Sequence, residues 1–286
     1  MGVAALRIAT RGSPLALHQA NTVAARLGGD TEIVVVKTEG DRKTDVALES
    51  LGGRGVFTKE VQAAVLDGRA DITVHSAKDL PSSQELLTDG LVLACVPERA
   101  DPRDCLVGAT LADLPRGATV GTGSARREAL LRHLRPDLEF VGLRGNIATR
   151  LARVGELQAI VAAVAALERL DLGDRISETF DPDVFVPQVG QGALAVECRE
   201  ADAETRARLV KIDNAEAHAC VLAERAFLAE LGGGCDAPVG AHASPLTDGA
   251  MRLVGFYAHH AEQLWWHGSG VDPVELGASV ARAMRS

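Results

Sequence analysis

Short apolar segments alternate with amphipathic segments along most of the chain. Residues 6–10 alternate between apolar and polar side chains, which predicts a half-buried strand. Ser13 and Pro14 then supply a helix N-cap and a proline at the first helical position. Apolar residues follow at helical spacing as far as Leu27, and residues 32–36 predict a second strand. This strand–helix–strand order is typical of α/β proteins with parallel sheets.

The same order repeats through the middle of the chain. Ser124 is placed to cap one of the predicted helices. The pattern predicts helices over 56–66 and 125–134, and another that ends at 151. It predicts strands at 71–75, 119–121, 140–141 and 193–198. The apolar run at 159–164 fits either a buried strand or the start of a helix.

The C-terminal part changes character. Asp213 is the predicted N-cap of a helix, with Glu216 three residues on in capping-box spacing, and the glycines at 232–234 end that helix. Asp248 and the glycine after it predict a hairpin turn, and a last helix is predicted over 273–284. These elements indicate a small α+β domain. Its strands are predicted at 239–243, 251–258 and 264–266.

Length and charge narrow the function classes. The chain has 286 residues, which suggests about two domains or three small ones. Its 24% charged and 47% hydrophobic residues exclude a disordered chain. A net charge of −9 argues against nucleic acid or an anionic membrane surface as partner. The longest apolar run, 159–167, is too short to span a bilayer, and no signal-peptide pattern is present, so we expect a cytoplasmic protein.

Neither the cysteines nor the histidines suggest a metal site. The five cysteines include no CxxC pair and the eight histidines no HExxH, so we expect neither a disulfide framework nor a bound metal. Four of the cysteines lie in apolar surroundings and should be buried. They are Cys95, Cys105, Cys198 and Cys220.

Cationic loops follow several of the predicted strands, at the place where ligands bind in α/β sheets. Arg126 and Arg127 fall in the first turn of their helix, where the helix dipole disfavours each cation by about 0.3–1 kcal/mol unless an anion is bound. One arginine alone is usually solvated, but several such loops in an acidic chain predict a polycarboxylate or phosphate bound in a cleft between two α/β lobes. The loops are ATRGS at 9–13, HSAKD at 75–79, GTGSARR at 121–127 and GLRGN at 142–146.

Two further residues each allow two interpretations. Asp79 either neutralises Lys78 and caps its loop, or transfers protons and stabilises a cation formed during a reaction. Cys235 follows three glycines, and such a flexible loop favours an accessible thiol able to form a covalent bond over inert packing.

Taken together in order and spacing, several segments resemble the porphobilinogen deaminase (hydroxymethylbilane synthase) family over essentially the whole chain. No single segment decides the resemblance. The segments are LRIATRGSPLALHQA, GGRGVFTKE, ADITVHSAKDLP, ERADPRDCLV, GTGSARR, LRGNIATRL, VPQVGQGALAVECR and LGGGCDAPVGA.

The resemblance implies an α/β fold of two periplasmic-binding-protein-like lobes with a double crossover, plus a small C-terminal α+β domain. Residues 1–96 with 193–212 would form the first lobe, which carries the catalytic carboxylate. Residues 100–188 would form the second lobe, and 214–286 the C-terminal domain. The family also implies a monomer.

The implied reaction joins four porphobilinogen molecules head to tail into the linear tetrapyrrole hydroxymethylbilane. Each porphobilinogen loses ammonia to give an azafulvene, which the last pyrrole of the growing chain attacks. The implied cofactor is a dipyrromethane held by a thioether to Cys235, and Asp79 matches the catalytic carboxylate of the motif HSAKDLP. A carboxylate suits this role because it can accept pyrrole N–H groups, stabilise positive charge and carry protons.

The resemblance also implies which residues bind the acetate and propionate groups of the pyrroles. Phe57 matches an aromatic residue on a loop over the cleft. The residues implied to bind cofactor and substrate carboxylates are Arg11, Ser13, Ser76, Lys78, Thr122, Ser124, Arg126, Arg127, Arg144, Arg150, Arg169 and Gln191.

The chain also departs from the family pattern, at positions where affinity and loop behaviour would change. Ser50 and Arg54 stand where relatives carry lysine, residues 39–41 replace a more basic tripeptide, and Gly123 stands where serine is common. Two other functions share some of these features. A solute-binding module would use the cationic loops but not Cys235, and a nucleotide-handling enzyme would need glycine-rich motifs that this chain lacks.

Overall fold

Three β-sheets, covered by helices, organise the part of the chain that the structure describes. This structure is a computed structural model, and it describes residues 5–38, 58–82, 88–232, 237–259 and 262–285. Within these ranges, no helix is long and apolar enough to cross a membrane.

The first two sheets combine strand–helix–strand segments with strands that follow one another without an α-helix between them. The strands are β1 (Leu6–Arg11), β2 (Thr31–Val36), β3 (Ile72–Ser76), β4 (Leu91–Cys95), β5 (Asp104–Val107), β6 (Thr119–Gly121), β7 (Glu139–Val141), β8 (Ala159–Ala163), β9 (Glu178–Thr179), β10 (Leu194–Arg199), β11 (Val239–Pro245), β12 (Met251–His259) and β13 (Glu262–Gly270). The α-helices are α1 (Pro14–Leu27), α2 (Lys59–Leu66), α3 (Ala125–Leu134), α4 (Ile147–Leu151), α5 (Val164–Glu168), α6 (Ala203–Leu209), α7 (Ala215–Leu231) and α8 (Pro273–Ala283).

The first sheet has the order β2-β1-β3-β10-β4. Strand β1 runs parallel to β2 and β3, whereas β10 runs antiparallel to β3 and β4. Helix α1 packs Ala20 and Val23 with Ile8 of β1 in one apolar cluster, and α2 packs Val61 with Ala9 in another. Since neighbouring residues of β1 point to opposite faces, these two helices cover both faces of the sheet.

The second sheet has the order β7-β6-β8-β5-β9. Strand β6 runs parallel to β7 and β8, and β5 runs antiparallel to β8 and β9. Leu130 of α3 packs with Val120 and Val161 in one cluster, while Ile160 packs with Leu167 in another. This sheet is therefore also buried on both faces.

The chain passes between the two sheets twice, first between β4 and β5 and again between β9 and β10. The strands that it enters after each passage, β5 and β10, are the ones that run antiparallel to their neighbours. The predicted α/β class, with two lobes, a double crossover and a small C-terminal α+β unit, is confirmed.

The third sheet, β11-β12-β13, is antiparallel and packs on both sides. Helices α7 and α8 cover one face, where Phe227 and Val280 pack with Leu253. The other face joins the second lobe, because Phe256 of β12 shares an apolar cluster with Phe185 and the side chains of α3. The C-terminal unit thus adds to the core of the second lobe.

The structure corrects one predicted helix start. Asn214, not Asp213, is the N-cap of α7, and its side chain accepts a hydrogen bond of 2.9 Å from the Ala217 amide. Asp213 accepts a hydrogen bond of 2.7 Å from the Val96 amide instead, which ties this helix to the first lobe.

Other boundaries agree with the pattern. Helices α1 and α3 and strand β6 have the predicted limits, and the apolar run at 159–164 becomes β8 followed directly by α5. Strands β4, β5 and β9 and helix α6 were not predicted, because segments of 5, 4, 2 and 7 residues carry too little periodicity. The four cysteines expected to be buried are buried.

A glycine allows α7 and α8 to touch, and replacing it should destabilise the fold. A Cβ at Gly277 would lie 2.7 Å from the Phe227 amide nitrogen and closer still to the carbonyl oxygen of Ala223. Gly277→Ala should therefore lower the free energy of unfolding by about 1–3 kcal/mol, despite the better helix propensity of alanine. Urea unfolding measures the change.

Gly173→Ala is the matched control, because a Cβ there would come no nearer than 3.9 Å to another side chain. An unchanged or higher urea midpoint for Gly277→Ala would contradict the close approach of the two helices.

Candidate active site

Asp79 lies at the carboxyl end of β3. Residues Ala77–Asp79 form a single 3₁₀ turn directly after the strand. Two backbone hydrogen bonds hold the turn. The Ala77 amide donates to the Ala193 carbonyl at 3.0 Å, and the Leu80 amide donates to the Ala77 carbonyl at 3.2 Å. The sheet thus fixes the backbone that presents the Asp79 carboxylate.

An open cleft of about 380 Å³ lies beside this turn. Its hydroxyl groups are held in place. The Ser13 Oγ accepts from the Ala16 amide at 3.3 Å as the N-cap of α1, and the Ser76 Oγ accepts from Gln19 Nε2 at 2.8 Å. A hydroxyl that accepts a hydrogen bond can still donate its own hydrogen to a ligand. The predicted site residues that line the cleft are Arg11, Ser13, Ser76 and Asp79.

Lys78 and Arg150 bring positive charge to Asp79 from different lobes. Burial, together with the charges of Arg127 and Arg150, lowers the pKa of Lys78 to about 8, although Asp79 and Asp104 act in the opposite direction. Burial also lowers the pKa of Arg150, with Arg127 adding to the effect and Asp79 opposing it. These cations are removed from water and lie close to other positive charges. A ligand that carries carboxylates would stabilise them.

Asp104 is the internal anion that pairs with the two arginines of α3. Its Oδ2 accepts from Arg126 Nη2 at 2.7 Å, and its Oδ1 accepts from Arg127 Nη2 at 2.7 Å and Nε at 3.0 Å. Burial alone would raise the pKa of Asp104, but the two guanidinium groups lower it to about 2. The carboxylate is therefore ionised and fully paired inside the protein.

This arrangement differs from the sequence expectation for Arg126. Its side chain is 2% exposed, and its Nη1 donates to the Val186 carbonyl at 2.6 Å. The anion that offsets its position in the first turn of α3 is Asp104, not a ligand. Arg127 is 7% exposed and donates from Nη1 to the Val161 carbonyl at 3.2 Å, so it too is mainly committed to the protein.

Gln191 connects the two lobes through its side chain. Its Nε2 donates to the Pro102 carbonyl at 2.8 Å and to Asp104 Oδ1 at 3.0 Å. Its Oε1 accepts from Lys78 Nζ and from Arg127 Nη2, each at 3.4 Å. Gln191 is fully buried, so it holds Lys78 near the paired charges of the second lobe.

Thr122 and Ser124 shape the start of α3. The Thr122 Oγ1 accepts from the Ser124 amide at 3.2 Å, and the Ser124 Oγ accepts from the Arg127 amide at 3.4 Å as the N-cap. A Cβ at Gly123 would lie 2.6 Å from the Leu143 carbonyl oxygen. A serine at this position would therefore require the backbone to move.

The remaining predicted cations belong to segments of the second lobe, and one of them contacts the crossover. Arg150 Nε donates to the Gly145 carbonyl at 2.8 Å, and Arg169 Nη2 donates to the Gly192 carbonyl at 2.7 Å. Burial lowers the pKa of Arg169, with Glu168 opposing and Arg26 adding to the effect. Arg144 is exposed on the loop after β7. Phe57, Cys235, Ser50 and Arg54 lie outside the described residues.

A second buried carboxylate, Glu224 of α7, joins the C-terminal unit to the crossover. It accepts from Arg99 Nη1 at 2.6 Å, from the Gly190 amide at 2.7 Å and from the Ala243 amide at 2.9 Å. Burial would raise the pKa of Glu224, but Arg99 and His242 lower it to about 2. These contacts fix the segment that carries Gln191.

Sequence reasoning missed Asp104, Arg99 and Glu224. A signal was present for Glu224, which lies among the apolar residues of a predicted helix, whereas Asp104 lies in β5, a strand that the pattern does not predict. A charge at such a position needs a buried partner. Their partners, however, are far away in the sequence and could not be named from it.

Comparison with known proteins identifies the family. Residues 6–207 match the model described as "Porphobilinogen deaminase, dipyromethane cofactor binding domain", and residues 218–286 match "Porphobilinogen deaminase, C-terminal domain". The chain belongs to the porphobilinogen deaminase family.

Curated relatives extend this family match over nearly the whole chain. The porphobilinogen deaminase of Syntrophotalea carbinolica is 46% identical over 99% of this chain and 90% of its own length. That of Brevibacillus brevis is 42% identical over 97% of this chain and 93% of its own. Membership confirms the predicted hydroxymethylbilane synthase role in tetrapyrrole biosynthesis and the predicted dipyrromethane cofactor.

Solved structures with a similar course of the chain include two binding proteins. One is a periplasmic sulfonate-binding protein from Methylobacillus flagellatus KT, with TM-score 0.40 and 16% identity over 78% of this chain and 67% of that one. The other is the L-cystine solute receptor of Neisseria gonorrhoeae, with TM-score 0.40 and 14% identity over 73% of this chain and 85% of that one.

The two buried carboxylates predict how the protein unfolds in acid. Because folding lowers the pKa of Asp104 and of Glu224 to about 2, each stabilises the fold above its unfolded pKa of about 4. This contribution, on the order of 2–3 kcal/mol each, should be lost as the pH falls from about 4.5 towards 2. The urea midpoint measured from pH 7 to pH 2.5 should be steady at first and then drop steeply.

Glu224→Gln should be less stable at pH 7, because Arg99 then lacks its anionic partner, and should lose less stability on acidification than the unmodified protein. Glu204→Gln, at an exposed position of α6, is the control and should follow the unmodified protein. An equally steep acid loss in Glu224→Gln would contradict the assigned pairing.

Proposed function

We propose that this protein condenses four porphobilinogen molecules head to tail into hydroxymethylbilane, with release of ammonia, using Asp79 as its catalytic carboxylate. The observation that carries the proposal is the electrostatic environment of Asp79. Lys78 of the first lobe and Arg150 of the second both interact with Asp79, and both have a lowered pKa because they are buried near other cations. A substrate that brings carboxylates fits this environment.

Asp79 would bind the pyrrole N–H groups and stabilise positive charge on the reacting ring. An ionised carboxylate accepts hydrogen bonds only, so it favours a donor such as a pyrrole nitrogen. The 3₁₀ turn and the bond from Ala77 to Ala193 hold its backbone in place, which limits the reorganisation needed during reaction.

The acidic side chains of substrate and cofactor would bind to the cations and hydroxyl groups around the cleft. Arg126, which is buried against Asp104, would act by holding that carboxylate and Arg127 in place. Phe57 would contact the ligand from its loop. The residues proposed to bind carboxylates are Arg11, Ser13, Ser76, Lys78, Thr122, Ser124, Arg127, Arg144, Arg150, Arg169 and Gln191.

Cys235 would hold the dipyrromethane by a thioether. A small pocket supports this assignment, since its lining includes Lys78 beside Asp79, Leu228 near the end of α7 and Val239 at the start of β11. Both flanks of the Cys235 segment therefore border a space that also reaches the Asp79 turn. When bound, the dipyrromethane supplies the pyrrole carbon from which the new chain is extended. The cationic cleft fits a group that carries four carboxylates.

The domain division is also part of the proposal. Residues 1–96 with 193–212, 100–188 and 214–286 would form three domains, each with one of the three sheets. We further propose a cytoplasmic monomer that binds neither nucleic acid nor membranes, in line with its net charge of −9.

Replacing Asp79 should stop turnover without unfolding the protein. Asp79→Ala should lower the rate of hydroxymethylbilane formation by at least about 100-fold, because no other group can replace a positioned carboxylate. Asp79→Glu should retain a trace of activity, since its carboxylate is displaced by about 1 Å. Asp67→Ala, an exposed carboxylate after α2, is the control and should keep the full rate. Full activity in Asp79→Ala would remove Asp79 from the mechanism.

Replacing Cys235 should remove a covalently bound pyrrole. Mass spectrometry of the purified protein should show the added mass of a dipyrromethane, and Ehrlich's reagent should colour it. Both signals should be lost in Cys235→Ser and retained in Cys95→Ala, which changes a buried thiol of β4. A Cys235→Ser variant that retains the added mass would overturn the attachment.

A further inference from the structure

Glu197, on the inner strand β10, is a buried carboxylate that the proposed function does not use. It is 8% exposed. Gln62 Nε2 of α2 donates to its two oxygens at 3.1 and 3.0 Å, and Thr73 Oγ1 of β3 donates to Oε2 at 3.2 Å. His75 Nε2 lies 3.4 Å from the same Oε2. The carboxylate thus joins a helix and two strands directly behind the cleft.

A buried carboxylate is costly unless it is paired, and apolar residues would fill this space at lower cost. Gln62 and Thr73 are neutral donors, so only His75 in this cluster can become positively charged. Burial would raise the pKa of Glu197, but His75 first, and then Gln62 and Thr73, keep it below its ordinary value. Glu197 is therefore ionised and can only accept hydrogen bonds.

The ionised carboxylate determines the state of the imidazole. A lone pair on Nε2 would repel Oε2, so Nε2 carries the hydrogen of neutral His75 and Nδ1 carries the lone pair. His75 is 5% exposed, and among the described residues its Nε2 has no hydrogen-bond partner, since the 3.4 Å approach to Glu197 is an ion-pair distance and not a hydrogen bond. The ring is thus prepared to accept a second proton on Nδ1 while Glu197 balances the charge.

His75 also borders the cleft, together with Arg11, Ser76 and Asp79. The sheet places it there, because β3 ends at Ser76 and the Asp79 turn follows at once. In the register of β3 and β10, His75 lies opposite Ala195, two residues from the pair of Thr73 and Glu197. His75 therefore lies in the wall of the space where the acidic pyrrole would bind, with Glu197 beside it.

We propose that His75 takes up a proton when an anionic pyrrole binds in this cleft, and that Glu197 is the positioning residue that stabilises the resulting imidazolium. The inference rests on the proposed function, because it needs a ligand with carboxylates. Negative charge arriving near an imidazole favours its protonated form. The proton comes from the solution, forms a bond to Nδ1, and returns to the solution when the ligand leaves.

Of the other charged groups around His75, some favour its protonated form and others disfavour it. Arg11 and Lys78 disfavour a positive ring, and Asp79 favours one. Lys78, whose pKa is lowered to about 8, can also take up a proton when carboxylates bind, so the uptake assigned to His75 is the part that His75→Gln loses. Helix α2 contributes neutral Gln62 to the pair and carries Lys59 and Glu60 in its first turn, and α1 contributes neutral Gln19 to the cleft. The ligand is the component that changes on binding, so proton uptake should follow its arrival.

Calorimetry of the holoprotein tests the inference. The probe is a pyrrole with one acetate and one propionate group and a methyl group in place of the aminomethyl group, so that it cannot lose ammonia. Titrations at each pH in two buffers of different ionisation enthalpy give the number of protons taken up per probe bound. The unmodified protein should take up as much as about one proton between pH 6 and 8, and its affinity should fall as the pH rises by up to about tenfold per pH unit.

His75→Gln should lose most of the uptake and most of the pH dependence of affinity. Glu197→Gln keeps the shape of the side chain but not its charge, so its uptake should move to lower pH. His218→Gln is the matched control, because His218 pairs with Asp213 at 2.9 Å on α7, away from the cleft, and it should behave as the unmodified protein does.

The possible outcomes separate the inference from the proposed function. Probe binding without proton uptake, or undiminished uptake in His75→Gln, overturns the inference and leaves the proposed function intact. Failure of the unmodified holoprotein to bind the probe at any pH overturns both. If His75→Gln does not fold, Glu197→Gln provides the test. Proton uptake over an unchanged pH range in Glu197→Gln would overturn the inference.

Discussion

The carboxylate of Asp104 is the charge on which the arrangement of the site depends. An ionised group without solvent must be paired, and here two guanidinium groups of α3 and the amide of Gln191 supply the partners. Because Asp104 of β5 binds both Arg126 and Arg127 of α3, the orientation of α3 relative to β5 is fixed. Gln191, which is bound to Asp104, also accepts a hydrogen bond from Lys78 and so fixes the position of this cation of the first lobe.

The segment 186–193 is where the three sheets meet. Its carbonyl groups accept from Arg126, from the Ala241 amide and from Arg169, and its Gly190 amide donates to Glu224. Gly192 has a positive φ of 84°, and a Cβ there would lie 2.5 Å from the Ala100 carbonyl oxygen. Only glycine permits the two crossing segments to run this close together. A substitution or a small displacement in this segment would therefore alter contacts with all three sheets.

Local signals in the sequence predicted the local structure well. Ser13 and Ser124 cap their helices as expected, because a cap depends on only a few neighbouring residues. Asp213 failed as a cap because a distant partner, Val96, competes for its carboxylate. The arginines of α3 show the same limit at the site: the sequence indicated that they need an anion, but only the fold shows that Asp104 supplies one. Partners separated by 87 residues, such as Gln191 and Asp104, are set by topology.

The position of β10 has a consequence for how the chain acquires its structure during synthesis. This strand lies between β3 and β4, yet it is made almost 100 residues after β4. Until residues 194–199 leave the ribosome, β3 and β4 each have an unpaired edge, and the apolar faces around them lack their closing strand. The nascent first lobe therefore exposes apolar surface and unpaired strand edges until the second lobe has been synthesised, and it is prone to aggregation in that interval.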